Sequence, residues 1–388
     1  MNKQTLFFIL FLSFLAALLG YNYFARPFEN LSERFASPQV TENFDVVEEL
    51  SLEEKLLSEL TTKEKIAQLI AFSVVLEKPV DTKQLAASNS AWIKDNNPGF
   101  ITLFGSSIVK QQAKDFKSKI NNSESKIKIH LVVDHEGGVV QRLNGEGFTK
   151  LPSWQELCQM SDDEERSNLL ASSSAELSSV GINVVLAPVV DLGINPVLGS
   201  RICSDDDQLV ASRAAEYVSV FKNQSILPVL KHFPGIGKTS KDLHNDFDRV
   251  IVEKESTSIY KHLLDQFPHI GVMISHVGVK NQYPDIPCSL SRSCVKELSD
   301  NYPELLIFSD ALDMNSALYD KNSDKLKTLE QVSIEAIDAG NNVLIYGQGI
   351  EVEKFDMILE VLLAAYESDS DFKNKVDRSV LKIINYKK

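Results

Sequence analysis

The sequence predicts an α/β fold, a single (β/α)8 TIM-type barrel. Three observations point there: apolar, β-branched runs recur along the chain, helical patterns separate them, and several runs end in a charged or imidazole side chain. Near-continuous apolar runs are the pattern of parallel strands buried on both faces. The strand candidates are QLIAFSVV (68–75), GFITLFG (99–105), IHLVVD (129–134), INVVLAPVVD (182–191), ILPVLKHF (226–233), IGVMISHV (270–277), ELLIFSD (304–310) and NNVLIYG (341–347). Helices are expected over 82–95, 107–120, 163–180, 207–223, 255–267, 292–300, 325–339 and 352–366. Eight such units in roughly 335 residues suit a closed barrel better than an open doubly wound sheet. The open sheet would want a glycine-rich phosphate turn after an early strand, and EGG at 136–138 is too little to supply one.

A chain of 388 residues with 43% hydrophobic content can bury a large core. Its net charge of −14, with no clustering of Lys and Arg, argues against nucleic acid as a partner, because phosphate binding needs such clusters. An uncharged or weakly charged small substrate fits better. Cys158, Cys203, Cys288 and Cys294 form no CxxC pair and no zinc-finger spacing, so neither a structural metal nor a disulfide scaffold is indicated. They read as buried thiols, with a Cys288–Cys294 bridge open in an oxidising compartment. No cofactor is expected, and the protein is expected to be a monomer.

Residues 5–24, TLFFILFLSFLAALLGYNYF, are uncharged and about the length that spans a bilayer. Lys3 precedes them, and acidic residues soon follow Arg26, which keeps the start cytoplasmic and places the rest outside, periplasmic or extracellular. No cleavage site follows cleanly, so an uncleaved membrane anchor is the first reading of 1–25, with a removed signal peptide as the alternative. Residues 26–51 are polar and carry two prolines without a sustained apolar period, which reads as a tether. The barrel domain is expected over 52–388.

The strand candidates end in Asp134, Asp191, Lys231 with His232, His276 and Asp310. In a barrel the carboxyl ends of strands surround the active-site mouth, so these distant positions would converge. One such Asp could be a helix cap; five endings are harder to explain so. In IFSDAL (307–312) the carboxylate of Asp310 could attack an electrophilic carbon or stabilise a developing cation. In VDHEGGVVQRL (133–143), Arg142 is spaced to fold back and share hydroxyl contacts with Asp134. In KHFPGIGKTSKDLHND (231–246), alternate side chains of an extended segment share a face, so Asp242 can hold the imidazole of His244 and keep it basic. Taken alone, that D-x-H is more simply a solvated surface loop. A metal site from His232, His244 and His276 is not expected, since no His-x-His follows the first strand.

Together these segments resemble glycoside hydrolase family 3, most of all its single-domain bacterial β-N-acetylglucosaminidases. KIAQLIAFS, PGFITLFG, VDHEGGVVQRL, LAPVVDL, GSRICSDD, KHFPGIGKTSKDLHND, GVMISHVGV, IPCSLS, IFSDAL, AGNNVLIYG and VDRSVLKII follow the family's order through nearly the whole chain after the tether. The resemblance implies a retaining exo-β-N-acetylglucosaminidase acting on peptidoglycan fragments or related amino sugars. It makes Asp310 the nucleophile and His244, supported by Asp242, the acid and base. It assigns the sugar ring to Asp134, Arg142, Arg201, Lys231 and His232. Two-domain members often take an acid from a second domain; here the chain stops soon after the last strand, so the barrel is expected to supply its own. Departures are Val139 for Arg, Cys203 for Phe, Asn342 for Asp and Ile236 for His; Val139 and Ile236 are expected to make the rim more apolar. A family 3 glycosidase of another sugar preference, and a tethered sugar-binding protein without turnover, are the alternatives.

Overall fold

A computed structural model describes residues 50–76, 82–120, 125–323 and 325–388. The expected anchor and nearly all of the expected tether lie outside the described residues. No described helix is long and apolar enough to cross a membrane.

Each of the eight apolar runs contains a strand: β1 Ile70–Val75, β2 Phe100–Phe104, β3 His130–Val133, β4 Ile182–Val185, β5 Leu227–Phe233, β6 Gly271–Ile274, β7 Leu306–Ser309 and β8 Leu344–Ile345. All pair in parallel in the order β7-β6-β5-β4-β3-β2-β1-β8. The ring closes where β8 pairs with β1 and Val343 bridges Phe308 of β7. Asn342 seals that seam: its backbone N–H donates to the Ile307 carbonyl at 2.8 Å, its Oδ1 accepts from Ile307 N–H at 2.9 Å, and its Nδ2 reaches Ser379 at 3.0 Å. The departure at this position is therefore a buried structural amide.

Helices cover the expected spans within a few residues, and those starting at Asp163, Asp207, Arg292 and Leu329 are capped by the side chains of Asp162, Asp206, Ser291 and Thr328. Thr328 and Gln331, for example, form a reciprocal capping box at the helix Leu329–Ala339, which ends on Gly340 in the left-handed region at φ 116°. Further helices, Leu52–Glu59, Thr62–Gln68, Trp154–Gln159 and Ser370–Tyr386, were not separately expected. After the last of these, Lys387 Nζ donates to the carbonyls of Gly99 and Lys128 at 2.6 and 3.1 Å and lies 4.5 Å from the centre of the Phe100 ring. Gly99 and His130 sit at the amino-terminal ends of β2 and β3, so this closure leaves the opposite end of the barrel for the site.

The cysteines are not free thiols. Cys158 pairs with Cys203, and Cys288 with Cys294, with Cα atoms 5.6 and 5.4 Å apart.

Candidate active site

A buried network of charges stands at the carboxyl ends of β3 and β5. Lys231, held at the mouth by a bridge between Val189 and Lys231 that extends the β4–β5 pairing, puts its ammonium 3.0 Å from Asp134 and 2.5 Å from Glu136. Arg201 grips Glu136 through two bonds of 2.8 and 2.9 Å. Arg142 folds back to Asp134 at 3.4 Å, as its spacing led us to expect. Burial alone would raise the Asp134 carboxyl, but Lys231 and Arg142 pull it down to about 2. Glu136 is likewise held below the usual carboxylate range against its burial, by Lys231 and Arg201. Burial lowers Lys231, yet Asp134 and Glu136 outweigh it and keep the ammonium charged. Glu136 was missed in the sequence because EGG reads as a turn; its role becomes visible only once Arg201 and Lys231 close on it.

Asp191 ends its run but is buried and does not line the cavity. Its Oδ2 takes the Nδ1–H of His232 at 2.7 Å, and its Oδ1 takes the backbone N–H of Ile236 at 2.7 Å. One carboxylate thus orients the imidazole and anchors the start of the following loop. Ile236 itself packs with Leu198, Ile202, Leu243, Val250, Val277 and Met314 in a small apolar cluster separate from the main core. Its carbonyl accepts from Asn195 at 3.0 Å. The isoleucine departure is thus explained as the foot of the loop, where an apolar side chain is what the cluster requires.

That loop carries the D-x-H pair. His244 Nδ1 lies 2.8 Å from Asp242 Oδ1, which also takes the His244 backbone N–H at 3.0 Å. Burial would raise the Asp242 carboxyl, but these bonds outweigh it and keep the group ionised. The Nδ1–H therefore donates, and Nε2 is left to exchange a proton. The imidazole is 66% exposed, so it meets solvent at the mouth while lining the cavity.

Asp310 follows β7, its N–H donating to the Ile274 carbonyl at 2.9 Å. Burial pushes its carboxyl up, but His232, His276, the Ala311 N–H at 2.8 Å and His244 hold it below the ordinary value. A carboxylate kept ionised at the cavity is poised to attack or to stabilise a cation. His276, expected at the mouth, turns away instead. Its Nε2–H donates to the Ala311 carbonyl at 2.9 Å, and its Nδ1 meets the Ser289 hydroxyl at 2.6 Å. Burial lowers its pKa even against the pull of Asp310, and the imidazole positions the Asp310 turn without lining the cavity.

The cavity, about 380 Å³, is lined by Asp134, Arg142, Arg201, Lys231, His232, Asp242, His244 and Asp310. All eight candidate site residues meet there. Phe104, Leu186, Met273 and Ile345 give it an apolar floor, as small-molecule sites need. Val139, expected to make the rim apolar, points to solvent at 81% exposure; its neighbour Val140 lines the cavity instead. No group of His, Cys, Asp and Glu suited to a metal ion is found among the described residues.

Comparison with known proteins bears on this geometry. Residues 61–385 match the glycosyl hydrolase family 3 N terminal domain. Beta-hexosaminidase LpqI of Mycobacterium tuberculosis is 29% identical over 270 residues, which cover 66% of this chain and 67% of that protein. A beta-hexosaminidase of Photobacterium profundum is 32% identical over 225 residues, 55% of this chain and 64% of that one. The solved structure of M tuberculosis LpqI superposes with a TM-score of 0.75 at 26% identity, covering 87% of this chain and 97% of that one. A match of this extent, over a barrel whose mouth gathers the carboxylates, cations and imidazoles described above, makes the chain a glycoside hydrolase that belongs to glycosyl hydrolase family 3.

Proposed function

We propose that the protein is a retaining exo-β-N-acetylglucosaminidase that removes terminal β-linked N-acetylglucosamine from peptidoglycan fragments or related amino sugars. The observation that carries this reading is the shared cavity of Asp310 and the Asp242–His244 pair, facing the Asp134, Arg142, Arg201, Lys231 and His232 cluster. The names of the similar beta-hexosaminidases support the sugar.

In the proposed reaction the cluster holds the ring hydroxyls, with long cationic and carboxylate side chains giving directional bonds. Asp310 attacks the anomeric carbon as the glycosidic C–O bond breaks, and His244 gives its Nε2 proton to the departing oxygen. The product of this step is a glycosyl ester on Asp310. Neutral His244 then takes a proton from water, whose oxygen attacks the same carbon and releases Asp310. Asp242 steadies the imidazolium formed in the second step. Two inversions leave the sugar in its β configuration.

The apolar segment 5–24 and the two disulfides, which persist in oxidising compartments, support a placement outside the cytoplasm behind an N-terminal anchor. A reporter fused after Lys388 that works only in the cytoplasm should stay silent, and its activity would contradict that placement. The function is tested by hydrolysis of a chromogenic N-acetyl-β-glucosaminide by the protein, beside Asp310→Ala and His244→Ala. The parent should turn over and both variants should lose about three orders of magnitude or more in kcat. A parent without turnover would sink the reading.

A further inference from the structure

The cavity is uneven in charge. The cations Arg142, Arg201 and Lys231 all come from the β3 to β5 side, together with Asp134, whereas the polar groups contributed by the β7 and β8 ends are Asp310, Asp313 and Gln348, with no cation among them. Lys241, on the catalytic loop, is already paired with Asp246 at 2.6 Å. Asp313 is half-buried, and its Oδ1 accepts the Gly347 backbone N–H at 2.6 Å. Its carboxylate packs against that glycine: a Cβ at 347 would come within 2.5 Å of Oδ2 and 2.8 Å of Oδ1. Gly347 thus supplies both the donor and the space that seat the acid. Among the described residues no Lys or Arg is bonded to Asp313, which leaves a negative group at the cavity wall without a cation.

Its position says what it faces. Asp313 and exposed Gln348 line the same cavity as the ring-binding cluster and Asp310, and Asn315, two residues after Asp313, donates its backbone N–H to the carbonyl of His244 at 3.1 Å, which ties this loop to the proposed acid. With the anomeric carbon at Asp310 the leaving oxygen must meet His244, so the leaving group would pass the loop that carries Asp313. We propose that Asp313 is a specificity-determining residue of the leaving-group subsite, favouring neutral or hydrogen-bond-donating leaving sugars over those with a free carboxylate. The inference rests on the β-N-acetylglucosaminidase reading and narrows it. A like charge facing an anionic leaving group is unfavourable in a partly dry cavity, while a hydroxyl or amide N–H there gains an acceptor.

The test compares kcat/KM for N,N′-diacetylchitobiose with that for N-acetylglucosamine β-linked to N-acetylmuramic acid bearing its free lactyl carboxylate. The parent should prefer the neutral disaccharide, and Asp313→Asn, which keeps an acceptor for Gly347, should shrink that preference about tenfold. Asp313→Ser serves as a second variant. Raising the ionic strength should also narrow the parent's preference, with no substitution involved. A role in folding or in tuning Asp310 would move both substrates together and leave the ratio unchanged, and that result overturns the inference. A parent that cleaves neither disaccharide nor an aryl N-acetyl-β-glucosaminide overturns the underlying activity, and this inference with it.

Discussion

The backbone N–H of Asn315 donates to the carbonyl of His244 at 3.1 Å, so the loop with the proposed acid is tied to the loop that follows the proposed nucleophile. Ser316 N–H to Leu243 at 3.3 Å and Asn315 Nδ2 to Asn245 at 3.1 Å repeat the tie. Beside it, Phe247 stacks on Tyr319 with ring centres 4.2 Å apart, and the Arg249 guanidinium sits over both rings. Tyr319→Ala should loosen this latch. We expect kcat to fall about tenfold with a smaller change in KM, because the sugar cluster lies on other elements. A change confined to KM would speak against the latch.

Glu136 balances two buried cations. Glu136→Gln removes the charge that Arg201 and Lys231 share, and breaking one side of a buried pair costs about 3–5 kcal/mol. Denaturant unfolding should register a loss of that order, accompanied by a higher KM. An unchanged midpoint would show that the two cations are balanced by other groups.

Cys203 stands two residues after Arg201 and is bound to Cys158 across 45 residues of chain. A closed loop of that length contributes about 3–4 kcal/mol in the chain-entropy model. Treatment with a reductant should therefore lower the melting temperature, and it should raise KM by freeing the segment that aims Arg201. Reduction without either effect would remove the disulfide from this role.

Asp134 makes a pH prediction. Its folded pKa of about 2 lies below the unfolded value near 3.8, so its contribution is fully present above the unfolded value. It is lost as pH falls from about 4 toward about 2, a change on the order of 2 kcal/mol. Thermal midpoints across that window should drop more steeply for the parent than for Asp134→Asn. Parallel curves would contradict the ion-pair explanation.

Much of the fold was legible in the sequence because parallel strands buried on both faces carry their own signal, independent of partners. The helix Ser370–Tyr386 escaped because it follows the last barrel unit, where the repeat gives no cue. The candidate site residues were legible as strand endings, yet the groups that aim them were not. Asp191 and His232 are 41 positions apart, and nothing in either motif announces their bond. His276 ended a strand candidate like the others, but which way an ending points depends on the local backbone beyond the strand. Cys158 and Cys203 likewise have no spacing signature, since their pairing is set by where the barrel puts two loops.

The central claim is a covalent intermediate on Asp310, and trapping it is the most direct measurement. The protein is incubated with a fluorinated N-acetylglucosaminyl fluoride, which slows the second step, then digested and analysed by mass spectrometry. The result expected is one glycosyl adduct on the peptide containing Asp310, lost on incubation with an acceptor and absent from Asp310→Asn. Turnover of the substrate with no adduct, or an adduct on another residue, would contradict the mechanism.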